Sequence, residues 1–201
     1  MEVFMSLIDE LKKEFVDSLR QIVFSGFGEP FMDRSFLHKL SYARAEFPGT
    51  HFSIFTNGSF LKGHHCHDLK EIDNVSVMVS LNSTNADMRS KLMNVSLADW
   101  GNVEEACLSL EHHKINWGTS LVAHPIVTAD RGNEFMTGHN PIVCQFQSWG
   151  GLMYPYNGPL VYRCDRLFDW YTFDWQGKRI KCCFDINGKA DCNQCTEGVR
   201  V

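Results

Sequence analysis

No apolar run in these 201 residues approaches the roughly 18 needed to cross a membrane. A basic stripe is also missing. The formal net charge is -5 and the pI is near 6.0, which argues against a nucleic-acid footprint. The opening stretch, MEVFMSLIDELKKEF, has neither a basic n-region nor a small-residue cleavage site, so no signal peptide is read there. There are no internal repeats, low-complexity tracts or linkers. Without a secretory signal the expected setting is the cytoplasm, which is reducing. There, clustered cysteines are more often metal ligands than disulfides. What is present is ordinary for a globular chain: 44% hydrophobic and 21% charged residues. That length suits one sizeable core with a small appendage.

Along the chain, helical and extended patterns alternate. VFMSLIDELKKEFVDSL places Val3, Phe4, Leu7, Ile8, Leu11 and Phe15 on one helical face. QIVFSGFGEP is a short β-rich run ending in glycines. DRSFLHKLSYARAEF reads as a helix with Asp33 as its N-cap and Pro48-Gly49 as its stop. HFSIFTNG and NVSVMVSLN read as strands, ADMRSKLM and NVEEACLSLEHHK as helices, and NWGTSLVAHPIV and PIVCQFQSW as further strands. This order predicts a parallel sheet with right-handed crossovers. The strands read as near-continuous apolar runs, as in a sheet covered on its faces. The alternation stops near Trp149-Gly150-Gly151, which sets an expected boundary at about residue 152, with domains 1–151 and 152–201. Beyond it, DWYTFDW and KRIKCCF form a β-like pair in a cysteine-rich stretch.

Three predicted strand ends carry polar residues in phase. They read SGFGEP (Ser25 to Pro30), TNG (Thr56 to Gly58) and SLNSTNADMR (Ser80 to Arg89). In parallel sheets and barrels, ligands bind at the carboxyl ends of strands. Gly26 and Gly28 allow close backbone approach, and Pro30 stiffens its turn. Glu29 offers a carboxylate, or leaves backbone carbonyls, for an ammonium. Asn57, Ser80, Asn82 and Arg89 offer amides, a hydroxyl and a guanidinium. Together they suit a small zwitterion bearing a sugar. Any one of these turns is equally explained as turn chemistry. Three in register favour a site.

These segments resemble the S-adenosylmethionine site of radical SAM enzymes, whose fold is a partial (β/α)6 barrel. The resemblance runs from the first helix to the last cysteines. It implies that Gly28, Glu29 and Pro30 receive the methionine amino group through backbone. It also implies that Asn57, Ser80, Asn82 and Arg89 meet the ribose and carboxylate. The cofactor's radical would then abstract hydrogen from a peptide or a small metabolite. These 201 residues hold no C-x3-C-x2-C, the loop that binds the catalytic cluster in the family. The family's first strand is likewise unmatched. The expectation is therefore a C-terminal portion of such an enzyme or a degenerate homologue, inactive as the isolated chain. QIVFSGF would be an exposed edge open to a partner chain.

Five of the eight cysteines fall between residues 164 and 195. Cys164 leads C-x12-G-x4-C to Cys182, and Cys192 and Cys195 form C-x2-C. This spacing resembles the SPASM or twitch auxiliary domain, in which such thiolates hold a [4Fe–4S] cluster. Cys183 neighbours Cys182, but alternation along a strand lets only one ligate, and the family spacing selects Cys182. Zinc accepts four thiolates as well, although zinc ribbons usually carry two C-x2-C knuckles. Disulfides are disfavoured by compartment. A non-catalytic metal-binding or partner-binding protein is the alternative function. Cys66, Cys107 and Cys144 stand singly and read as core packing. His64 to His67 (HHCH) reads as a solvated run rather than a metal site. His112-His113 reads as a helix end. Asp165, Asp169, Asp174 and Asp185 surround the cysteines, with none singled out as a base.

Overall fold

Helix and strand alternate from the first residue of the fold. The computed structural model describes residues 1–26, 28–123, 142–145, 161–163, 171–174, 176–182, 185 and 199–200. Two compact units divide the chain, Met1–Gln145 and Phe146–Val201.

The first unit runs α1 (Glu2–Phe15), β1 (Gln21–Phe24), a single 3-10 turn (Pro30–Met32), α2 (Phe36–Glu46), β2 (His51–Thr56) and α3 (Gly63–Lys70). It continues with β3 (Val75–Asn82), α4 (Ala86–Met93), α5 (Asp99–His112), β4 (Asn116–Ala123) and β5 (Ile142–Gln145). The strands form one sheet in the order β1-β2-β3-β4-β5, and all four pairings are parallel. Sequential order, with helices between β1 and β2, β2 and β3, and β3 and β4, is what the βαβ reading requires. β1 is an edge strand. Among the described residues it pairs only with β2.

Side chains alternate along each strand, and the two faces of the sheet differ. Phe52 and Ile54 of β2 lie in register with Val75 and Val77 of β3, and Val77 with Trp117 of β4. All are buried, as are Val79 and Leu81. They pack with Ile8, Leu40, Leu69, Val103 and Leu110 of the helices. Burying each aliphatic or aromatic side chain stabilises the fold by about 1.5–3 kcal/mol. The other face carries Ser53, Ser76, Met78, Ser80 and Asn82, mostly half-buried. Near the strand starts it bears a polar row. Gln21 Nε2 donates to Ser53 Oγ (2.7 Å), which lies 3.2 Å from Ser76 Oγ, itself 2.9 Å from His51 Nε2. The expectation of near-continuous apolar strands therefore needs correction. β3 alternates strictly, because the apolar core lies against one face only.

Three local expectations also change. Val3 is exposed, so the buried stripe of α1 is narrower: Ile8 is buried, with Phe4 and Leu11 partly so. The α1–α2 contact is tied at its rim by Tyr42 Oη donating to Asp9 (2.6 Å) and by Lys12 pairing with Glu46 (2.5 Å). Asp33 does not cap α2, where Ser35 holds the N-cap. Asp33 Oδ1 instead accepts from the Ser35 N–H and hydroxyl, and Oδ2 from Lys39 Nζ. Burial alone would raise the Asp33 carboxyl, but those donors outweigh it and hold it at about 2. α5 begins at Asp99, three residues before the expected start.

Cys66 and Cys107 are fully buried core residues, as read from the sequence. Burial pushes both thiols up to about 12. Cys144 lies in β5. Among the described residues, no three His, Cys, Asp or Glu side chains converge as metal ligands. In α3, His64 and His67 are exposed, and His65 Nδ1 accepts the Lys62 N–H (3.0 Å), closing the first turn. His113 Nδ1 lies 2.8 Å from the Ser109 carbonyl at the end of α5. None of the described helices is long and apolar enough to cross a membrane.

The second unit is described in parts. β6 (Val161–Arg163) pairs antiparallel with β9 (Val199–Arg200), and β7 (Thr172–Phe173) with β8 (Arg179–Ile180). The β7–β8 pair matches DWYTFDW and KRIKCCF. Gly177, at φ +77°, makes its turn. Asp174 Oδ1 accepts the N–H groups of Gln176 and Lys178, both at 2.9 Å. That bonding gives Asp174 a turn-forming role. The Arg179 guanidinium lies 4.4 Å from the Tyr171 ring centre, a cation–π contact.

Candidate active site at the strand ends

The three polar segments singled out in the sequence all follow the carboxyl ends of neighbouring strands β1, β2 and β3. Parallel pairing makes this a geometric consequence of the sequence order. What joins the first two turns is Glu29. Thr56 Oγ1 donates to Glu29 Oε1 (2.6 Å), and the Asn57 N–H donates to Oε2 (2.7 Å). The Phe31 N–H also reaches Oε1 (3.3 Å), capping the 3-10 turn begun by Pro30. Glu29 therefore spends its carboxylate on the TNG turn and on its own turn, not on an ammonium. The carbonyls of Glu29 and Pro30 accept from Met32 and Asp33. The Gly28 carbonyl accepts no hydrogen bond from the described residues. Gly26 stands at φ +122°, a conformation that suits glycine.

The TNG turn is tightly built. The Gly58 N–H donates to Thr56 Oγ1 (3.0 Å) and the Ser59 N–H to Asn57 Oδ1 (2.8 Å). Gly58 has φ +82°. A methyl group there would lie 3.2 Å from Val79 Cγ1 and 3.3 Å from Val103 Cγ1. Left-handed backbone and close packing both oppose any side chain. Gly58→Ala is expected to destabilise the fold by about 2 kcal/mol, read as a lower denaturant midpoint at unchanged slope.

At the end of β3 the pairing with β4 shifts between Ser80 and Asn82, and Asn82 adopts φ +63°. Such a bulge re-aims side chains where a strand ends. Ser80 and Asn82 are half-buried on the polar face. Ser83 and Thr84 are buried, the Asn85 N–H donates to Ser83 Oγ (3.1 Å), and Asn85 Oδ1 caps α4 through the Met88 N–H (3.0 Å).

Arg89 differs from its expected role. It is 1% exposed. Nη1 pairs with Asp99 Oδ2 (2.5 Å), and Nη2 donates to the Asn57 carbonyl (2.9 Å). Both Nη atoms are thus held by the protein, while Nε is buried without a partner among the described residues. Sequence reasoning chose the residue by its type, but its place in the second turn of α4 directs it into the protein. Two members of this network carry little signal in the sequence. Thr56 lies inside the TNG segment, where a threonine reads as an ordinary turn residue. Asp99 had no signal beyond an acid in the first turn of a helix.

Of the expected metal set, Cys182 is the one residue that the structure describes. Cys182 is half-buried just after β8, and its carbonyl accepts the Asp185 N–H (3.0 Å). Asp185 is buried and its Oδ2 accepts the Lys181 N–H (3.3 Å), closing a turn around that cysteine. Cys164, Cys183, Cys192 and Cys195, with Trp149, Asp165 and Asp169, lie outside the described residues.

Comparison with solved structures finds the same fold. Native anSMEcpe with bound AdoMet matches with a TM-score of 0.58 at 17% identity, over 81% of this chain and 45% of that one. Streptococcus suis SuiB bound to precursor peptide SuiA matches with a TM-score of 0.56 at 14% identity, over 76% and 34%. At these identities the likeness is one of fold, and the chain spans less than half the length of either protein. No curated protein sequence matches it. The family model of the Radical SAM superfamily matches residues 2–136, about two thirds of the 201. With the parallel sheet and its polar strand ends, that match places the chain: it belongs to the radical SAM superfamily.

Proposed function

We propose that the chain is the cofactor-binding portion of a radical SAM enzyme that modifies a peptide or a small metabolite by hydrogen abstraction. The observation that carries this reading is the placement of GFGEP, TNG and SLNS at adjacent strand ends, the first two tied together through Glu29. The residues fit S-adenosylmethionine in part. The Gly28 carbonyl, in the turn built by Glu29 and Pro30, would receive the ammonium. Ser80 and Asn82, with the Asn57 side chain beside them, would meet the ribose and carboxylate. Arg89 is reassigned from ligand contact to support. When bound, S-adenosylmethionine supplies the hydrogen-abstracting radical. The chain's own residues hold it and orient it. That SuiB is described bound to a precursor peptide supports a peptide as substrate.

The reading extends to an auxiliary [4Fe–4S] cluster held by Cys164, Cys182, Cys192 and Cys195. The glycine turn between β7 and β8 and the enclosed turn at Cys182 support it. Thiolate ligation needs a reducing setting, so a cytoplasmic location belongs to the same proposal. The side of β1 that no described residue pairs would take a strand from a partner chain.

Incubation with S-adenosylmethionine and dithionite tests the assignment. The 201-residue chain alone, which has no C-x3-C-x2-C, should yield no 5′-deoxyadenosine above background. A longer chain that supplies the motif should yield it. Cleavage by the short chain, or none by the longer one, would contradict the proposal.

A further inference from the structure

We propose that Arg89 and Asp99 are positioning residues, through which the first turn of α5 sets the place of Asn57 at the ligand site. The inference rests on the strand-end reading above and adds a connection to it. Asn57 is held from two sides. Its N–H is taken by Glu29, at the end of β1 (2.7 Å). Its carbonyl is taken by Arg89, in α4 (2.9 Å). Both peptide groups around Asn57 are thus fixed by charged partners from different elements, and its side chain is left to the turn and the site.

The guanidinium works as a fork, with one nitrogen on Asn57 and another on Asp99. Lysine is a point charge and cannot hold both directions in one plane. The pair is buried on the Arg89 side and only partly open on the Asp99 side, with side-chain exposures of 1% and 14%. A hydrogen bond to a charged partner is strong in such surroundings. A second contact follows the same route. Gly58 packs against Val103, one turn further along α5. Two independent contacts therefore press the TNG turn against α5. Movement of α5 would carry Asn57 with it, and through Glu29 the GFGEP turn.

Amide hydrogen exchange and S-adenosylmethionine titration on the full chain test this together, well below the unfolding temperature. In Asp99→Ala and in Arg89→Lys, the amides of Asn57, Gly58 and Ser59 should exchange at least tenfold faster. Those of α2 should speed up only by the common factor that the loss of global stability sets, well below the rise at 57–59. Cofactor affinity should fall about tenfold, and Asp99→Glu should recover most of both losses. Ser80→Ala should weaken cofactor binding without altering exchange at 57–59. A rise at 57–59 no larger than that elsewhere in the chain would mean a merely structural pair and would overturn the proposal. So would an Arg89→Lys loss of affinity with exchange at 57–59 unaltered, since Arg89 would then be touching the ligand itself. If no variant, nor the wild type, binds the cofactor, the cofactor reading fails. The exchange arm would still decide whether the pair positions Asn57.

Discussion

Arg89→Ala is expected to destabilise the chain by about 3 kcal/mol, because it strands Asp99 and the Asn57 carbonyl in a nearly dry site. The size follows from the difference between the two partners. Arg89 is fully enclosed, so its removal opens a cavity as well as breaking the pair. Asp99 keeps some access to water and remains at the start of α5, where the helix dipole favours an acid, which holds the cost at the lower end for a buried pair. Chemical unfolding followed by circular dichroism measures it. Replacing both residues, Arg89→Met with Asp99→Leu, should recover part of the loss, since apolar substitutes leave no unpaired charge. A single variant as stable as the wild type would mean that the pair is not formed.

The second large effect concerns the cysteines. After anaerobic reconstitution the chain should hold about one [4Fe–4S] cluster, and Cys195→Ala should lose it. Cys107→Ala should retain it, because Cys107 is buried in the core of the first unit with its thiol pushed up to about 12. Iron and sulfide analysis with electron paramagnetic resonance separates the outcomes. Zinc in near-stoichiometric amount without iron would contradict the cluster assignment and leave a structural zinc site in its place.

The parallel sheet was legible because its signals are local. Apolar strands such as HFSIF and VSVMVSL are separated by helical periods and end in turn residues, so order, direction and strand ends all follow from pattern. The polar face was harder to see. Ser53, Ser76 and Ser80 sit among apolar neighbours, and the runs read as continuous until alternation and one-sided helix packing are both known. Helix starts moved for a similar reason. Asp33 and Ser35 are both good capping residues, and only the backbone decides between them. The network at the site was the least legible part. Glu29 meets Asn57 across 28 positions, and Arg89 meets it across 32. No spacing rule encodes contacts that the sheet creates. Residue type led to Arg89 as an anion ligand, whereas burial and Asp99 turn it inward.

Titration of S-adenosylmethionine into the 201-residue chain, followed by ligand-observed NMR, tests the central claim most directly. The site is expected to bind no tighter than roughly millimolar, about -4 kcal/mol, since without a chelating cluster only the Gly28 carbonyl, as acceptor, and the side chains of Asn57, Ser80 and Asn82 would hold the cofactor. The double variant Ser80→Ala with Asn82→Ala should abolish that binding while its circular dichroism stays native. Equal binding by wild type and double variant, or no binding by the wild type, would show that the strand-end turns are turns and nothing more. Micromolar binding would show a site complete in itself and contradict the account of what this chain lacks.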